Sequence, residues 1–264
     1  MMRVIIAMLL VSIFILPALS FDSFAANSGD SQAPPFSVSS ESLSGSKSIK
    51  QPNGIVERTV HIFYKEGFGH KASHGGGAGG TTEKCYAFLG NGVKWKTTES
   101  YIVDSTNSAG LSDDFVRSKM TQSLETWDSQ VSFDIFGAEG LGVVDGIDTQ
   151  STDGKNEVMF GSIEEPGAIA VTVTWAIFIG PPSQRQIVEW DMIFDDSDFA
   201  WGDGLPTAMD FQNIATHEIG HAGGMGHPSD SCTEETMYRF ASEGEIKKRD
   251  LNSGDITGIK ALYK

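Results

Sequence analysis

The sequence predicts an α+β fold, with five strands and three helices gathered between Trp95 and the C-terminus. Three observations carry that expectation. Apolar runs of strand length recur between turn residues. Three segments pair an N-terminal capping residue with apolar side chains repeated on one helical face. Residues 217–227 read H-E-x-x-H-x-x-G-x-x-H, a spacing that makes chemical sense only where a helix ends in a tight turn.

From the N-terminus, Arg3 precedes an apolar run over residues 4–16, which Pro17 ends and small residues follow. Residues 1–25 therefore read as a signal peptide, the alternative being an uncleaved membrane anchor. Residues 26–54, rich in Ser, Gly, Pro, Gln and Asn, read as a flexible linker. Residues 55–84 form an N-terminal extension. In it, IVERTVHIFYK at 55–65 is strand-like and the stretch 67–80 is a glycine-rich, mobile loop. His70 and His74 lie in that loop four apart, but its glycines disfavour a helix, so solvated histidines are expected before a second metal site.

The main domain is expected over residues 85–264. Its strands are placed at 99–103, 131–136, 157–160, 168–175 and 186–194. Ser112 caps a first helix over 113–128, with Asp113 and Asp114 at its positive end and Val116, Met120, Leu124 and Trp127 on one face. Asp210 caps a second helix that ends at Gly223–Gly224. Ser253 caps a third, residues 254–263, with Ile256, Ile259 and Leu262 turned inward.

The chain has 264 residues, room for one ordinary domain with extensions. Its net charge of −16, from 35 acidic against 19 basic residues, argues against a nucleic-acid partner, which needs a basic patch. No run other than the N-terminal one is long enough to meet a membrane. The two cysteines, Cys85 and Cys232, favour one disulfide in an exported protein. The alternative is a Cys85 thiolate that blocks the metal in a latent precursor.

Each position of the 217–227 motif has its own task. His217 and His221, four apart on a helix, project from one face and can grip one Zn²⁺. Glu218 can reach a water on that metal as general base. Gly224 lets the chain leave the helix through positive φ, so that His227 returns as third ligand. Three protein ligands leave a fourth position open, the mark of a catalytic rather than a structural zinc.

From Trp95 onward the chain resembles the metzincins and, within them, the matrixins. The zinc motif carries the resemblance, together with Thr236-Met237-Tyr238 ten residues after His227 and the closing D-I-T-G-I-K-A-L-Y at 255–263. Pro228, after the third histidine, resembles the simpler microbial members. The resemblance implies a zincin-like fold: a twisted, mostly parallel five-stranded sheet, three helices and a zinc cleft. It makes Met237 the Met-turn residue that floors the metal. It also makes residues 168–175 an edge strand with which an extended protein or peptide substrate would pair, with 236–239 as the opposite wall.

Departures from the family are visible as well. No histidine lies between His74 and His217, so a second, structural zinc is not expected. The family's cysteine-switch motif is absent around Cys85. Acidic residues at 145, 148 and 153, and at 191, 195, 196 and 198, could supply Ca²⁺ ligands or simply a solvated acidic face. The function implied is a secreted, monomeric zinc endopeptidase. The alternative is an exported zinc-binding or adhesion module that keeps the fold without proteolysis.

Overall fold

In a computed structural model, residues 36–69 and 84–264 are described. The expected signal peptide, the first part of the linker and the histidines at 70 and 74 lie outside them. We label the principal elements β1 (Ser48–Gln51), β2 (Gly54–Lys65), β3 (Glu99–Val103), α1 (Asp113–Asp128), β4 (Phe136–Glu139), β5 (Glu157–Ile163), β6 (Ala168–Ile177), β7 (Gln186–Asp195), α2 (Phe211–Ala222) and α3 (Ser253–Leu262).

Five strands form a mixed sheet in the order β4-β3-β5-β7-β6. All neighbours are parallel except β6, which runs antiparallel to β7. Helices α1 and α2 cover one face. Val116, Met120, Leu124 and Trp127 of α1 are all buried there, as the 3.6-residue period requires. Each such side chain contributes roughly 1.5–3 kcal/mol when fully withdrawn from water. Trp127 ties the two helices together by donating Nε1–H to the carbonyl of Thr216 at 2.8 Å.

Two element starts between Glu99 and the C-terminus differ from expectation. The strand placed at 131–136 begins instead at Phe136, because both Asp128 carboxylate oxygens hold the chain just before it, accepting from Ile135 and Phe136 N–H. Helix α3 is capped by Asn252 rather than Ser253. Asn252 forms a capping box with Asp255, which accepts the Asn252 N–H at 3.1 Å.

The larger difference is N-terminal. Residues 36–54 were expected as linker, yet 36–53 are built into the fold. Ser37–Val38 pairs in parallel with Ser162–Ile163, and β1 pairs antiparallel with β2. Val38 and Leu43 join Val56, Val171, Val173, Trp175 and Ile193 in a second core on the sheet face opposite the helices. The Arg58 guanidinium binds this segment by donating to the carbonyls of Ser42, Leu43, Ser44, Gly45 and Thr149. Polar composition misled here because a few well-placed apolar residues suffice to dock a short segment on a preformed sheet.

β6 is not an edge strand. β2 pairs with it antiparallel from Glu57↔Ala176 to Tyr64↔Ala168, and all ten β6 residues are buried. A run such as AIAVTVTWAI, without a charge on either face, has the composition of a strand covered on both sides.

Candidate metal centre and cleft

α2 starts at Asp210, whose carboxylate accepts Asn213 N–H at 2.8 Å, and ends where Gly224 takes φ +100°. A side chain at Gly224 would also meet Val93 O and Leu262 at 3.0 Å. After the turn, Met225–Gly226 pairs antiparallel with Ala87–Phe88, which returns His227 toward α2. The disulfide between Cys85 and Cys232 staples the same two segments. It removes the alternative of a free Cys85 thiolate at the metal.

Three imidazoles converge. His217 Nδ1 lies 2.7 Å from Thr236 O, and His221 Nδ1 lies 2.9 Å from Met225 O. A carbonyl only accepts, so each Nδ1 carries the proton and each Nε2 presents a lone pair. His227 Nε2 lies 3.1 Å from both of those Nε2 atoms. Burial holds all three rings well below the usual histidine pKa, in the neutral, ligating form. Neutral rings with lone pairs facing one another repel unless a cation sits among them. Nitrogens on a tetrahedral zinc, with bonds of about 2.0–2.1 Å, lie about 3.3–3.4 Å apart, so the two separations from His227 suit that ion.

Glu218 follows the first of these histidines and is fully buried. Its Oε2 accepts from the Thr172 hydroxyl of β6 at 2.5 Å, while Oε1 has no hydrogen-bond partner. Burial pushes the carboxyl up to about 8, with the Thr172 bond pulling the other way; a nearby divalent cation would lower it.

Beneath α2, Met237 packs on Gly220, where a Cβ would collide with the Met237 sulfur and lie 2.7 Å from Trp127. The Thr236 and Met237 N–H groups donate to Asp255 at 2.6 and 3.2 Å, so the start of α3 holds this turn. Burial raises the Asp255 carboxyl to about 7.

Thr172 and Asp255 went unassigned in the sequence, and so did His61 of β2. The His61 ring stacks on His221 with centroids 3.9 Å apart, and Phe63 stacks on His217 at 3.7 Å. Burial lowers the His61 pKa to about 4. Alternation along β2 puts both rings on the α2 side of the sheet. The signal available was the H-x-F pair in a strand-like run, which is weak without knowledge of where the strand docks.

Residues 94–264 match the sequence model of the matrixins. The chain belongs to the matrixin family. Among curated relatives, human matrilysin is 41% identical over 68 residues, 26% of this chain and 25% of that protein. Metalloendoproteinase 2-MMP of Arabidopsis thaliana is 41% identical over 59 residues, 22% of this chain and 15% of its own. The hatching enzyme of Paracentrotus lividus is 24% identical over 178 residues, 67% of this chain and 27% of its own. The chain thus spans about a quarter or less of the length of these relatives. Matrixins are zinc-dependent metalloproteases with a metzincin α+β fold, and the mixed sheet and helices of this chain have that form.

Of the acidic residues singled out by sequence, only the first group gathers. Carboxylate oxygens of Asp148, Asp153 and Glu189 lie within 4.8 Å of one another, as do those of Asp145, Asp153 and Glu157. The second trio is already bridged by the Lys155 ammonium. In the first, Asp148 Oδ2 and Glu189 Oε1 are buried and unpartnered. Asp195 serves a local turn by accepting from Ser197, and Asp196 ties in a distant loop by accepting the Ser108 N–H.

Proposed function

We propose that this matrixin is a secreted endopeptidase in which His217, His221 and His227 hold one zinc and Glu218 is the general base. The observation that carries the reading is the convergence of three buried Nε2 lone pairs on α2 and its following turn, next to a carboxylate with one orphaned oxygen. Zinc held there would lower the pKa of a bound water toward neutrality and polarise a peptide carbonyl. Glu218 Oε1, free of other partners, takes the proton of the attacking water and later delivers it to the departing amine nitrogen. Thr172 keeps the other oxygen fixed, so the carboxylate does not rotate between the two transfers. Thr236 O and Met225 O orient the ligand rings by accepting their Nδ1 protons.

With β2 withdrawn from β6, an extended peptide would enter between β6 and residues 236–239 and add a strand. Export is supported by the N-terminal apolar run and by the disulfide, which suits an oxidising compartment. Among the described residues no helix is long and apolar enough to cross a membrane. Calcium is proposed only for the Asp148–Asp153–Glu189 group, where two facing carboxylates need either a shared proton or a cation.

The test measures zinc content and casein digestion for the parent and Glu218→Gln. Because β2 lies along the cleft, both are assayed before and after a cut engineered between Gly69 and Lys84. About one zinc in each is expected, with turnover after the cut lower in the variant by roughly 10²–10⁴-fold. Equal turnover would remove Glu218 from the mechanism. Zinc bound without turnover in either form would favour the non-catalytic zinc module.

A further inference from the structure

We propose that Tyr263, just past the end of α3, is a positioning residue for the metal. Its hydroxyl fixes the carbonyl at which the chain leaves α2, and through that carbonyl the placement of His221 and His227. The proposal rests on the zinc site proposed above, and three observations support it.

First, the hydroxyl bridges two backbone groups. It donates to Gly223 O at 2.9 Å and accepts the Trp95 N–H at 3.1 Å. A carbonyl only accepts and an amide N–H only donates, so both directions are settled and the hydroxyl is used on both sides. The Trp95 indole donates Nε1–H to Ala222 O at 2.9 Å. The last carbonyls of a helix find no partner within it. At the exit of α2, two successive carbonyls are therefore held by side chains from outside the helix, and all three of these bonds are buried.

Second, the residues that follow this exit serve the ligands. Gly224 comes next, with its positive φ. Met225 O, two residues beyond Gly223, accepts the His221 Nδ1 proton at 2.9 Å. His227, four residues beyond, brings its Nε2 to 3.1 Å from those of His217 and His221. The strand pairing that guides this return spans only Met225–Gly226. A Gly223 peptide released from its bond could rotate, and the turn would carry both the orienting carbonyl and the third ligand with it.

Third, the ring is held without help from the hydroxyl. Tyr263 is buried, and its ring stacks on Phe133 with centroids 5.8 Å apart. The Lys94 ammonium lies 5.2 Å from the ring centroid and donates to Leu262 O at 2.7 Å. Tyr263→Phe therefore removes the bridge and leaves the packing.

The test compares the intact chain with Tyr263→Phe, Trp95→Phe and Ser123→Ala. Ser123 is the control. Its buried hydroxyl lies 3.0 Å from the Thr216 hydroxyl of α2, far from the exit turn, so its loss weakens the fold without touching that turn. Zinc affinity is measured by competition with a chromogenic chelator, ligand geometry by the visible absorption of the Co²⁺-loaded chain, and folding by the melting temperature of the metal-free chain. Tyr263→Phe and Trp95→Phe should bind zinc roughly 10-fold more weakly, in line with the loss of other groups that orient ligands, and show a shifted cobalt spectrum. Ser123→Ala should keep the parent affinity and spectrum at a similarly lowered melting temperature. Parent affinity and spectrum in Tyr263→Phe would overturn the proposal, as would an equal loss of affinity in Ser123→Ala. If Tyr263→Phe does not fold, Trp95→Phe decides by the same two criteria. Zinc bound by none of the forms, the parent included, would overturn the three-histidine site itself, and the role of Tyr263 with it.

Discussion

For Glu218 as the proposed base, one hydrogen bond across the cleft, from Thr172, acts on the carboxylate. Burial raises the Glu218 pKa and the Thr172 hydroxyl opposes the rise. In the cleaved, active form, Thr172→Val should therefore move the acid limb of the pH–rate profile to higher pH and lower turnover at neutrality. An unshifted limb would show that Thr172 does not act on Glu218. Gly220 gives a second case, in which two effects oppose. Ala in a helix interior gains about 0.5–1 kcal/mol over Gly, but the added methyl would strike Met237 and the fixed ring of Trp127. Overpacking of that kind costs about 1–3 kcal/mol. Gly220→Ala should lower the melting temperature by several degrees, and a higher melting temperature would mean that Met237 yields freely. The proposed ligand trio and Glu218 could be singled out in the sequence because their spacing is local. Thr172 was not, because its partner is 46 residues away.

At the scale of elements, β5 and β7 bury more carboxylate than one lysine can balance. Glu189 is pushed up to about 8 and Asp191 is raised as well, both chiefly by burial. The folded state thus holds a proton on Glu189 between its unfolded value near 4.5 and about 8, and loses stability as pH rises through that window. The buried histidines act with the opposite sign up to their unfolded value of 6.5. Comparing parent with variant isolates the carboxylate. In metal-free protein, Glu189→Gln should match the parent near pH 4.5 and exceed its melting temperature increasingly toward pH 8; a constant gap would refute the assignment. The three long helices were legible from caps and apolar period, whereas the short helix Ser40–Leu43 was not and the starts of β4 and α3 moved. Asp128 and Asn252 decided those, through bonds that composition does not reveal.

The whole molecule is organised around one covalent fact. Residues 36–69 pack on the sheet and into the cleft, and the chain rejoins the body at Cys85, which the disulfide holds to Cys232. A tethered strand competes at an effective concentration on the order of millimolar. A single cut between Gly69 and Lys84 reduces that to the protein concentration, and the disulfide keeps Cys85 in place. Specific peptidase activity should then be absent in the intact chain, appear after the cut, and rise as the cut protein is diluted. Activity equal in cut and intact chains would show that β2 does not obstruct the cleft.

The sequence by itself determined the helix that carries His217, Glu218 and His221, the turn at Gly224 and the order of strands and helices from Glu99 onward. Each of these depends on residues within a few positions of one another, where helical and strand periods act directly. What occupies the cleft was decided only by tertiary structure. That IVERTVHIFYK is a strand can be read from its side chains. That it docks on β6, turning an expected edge into an interior strand and stacking His61 on His221, depends on two segments more than a hundred residues apart. Their pairing is set by packing on both faces of a sheet that no local pattern encodes.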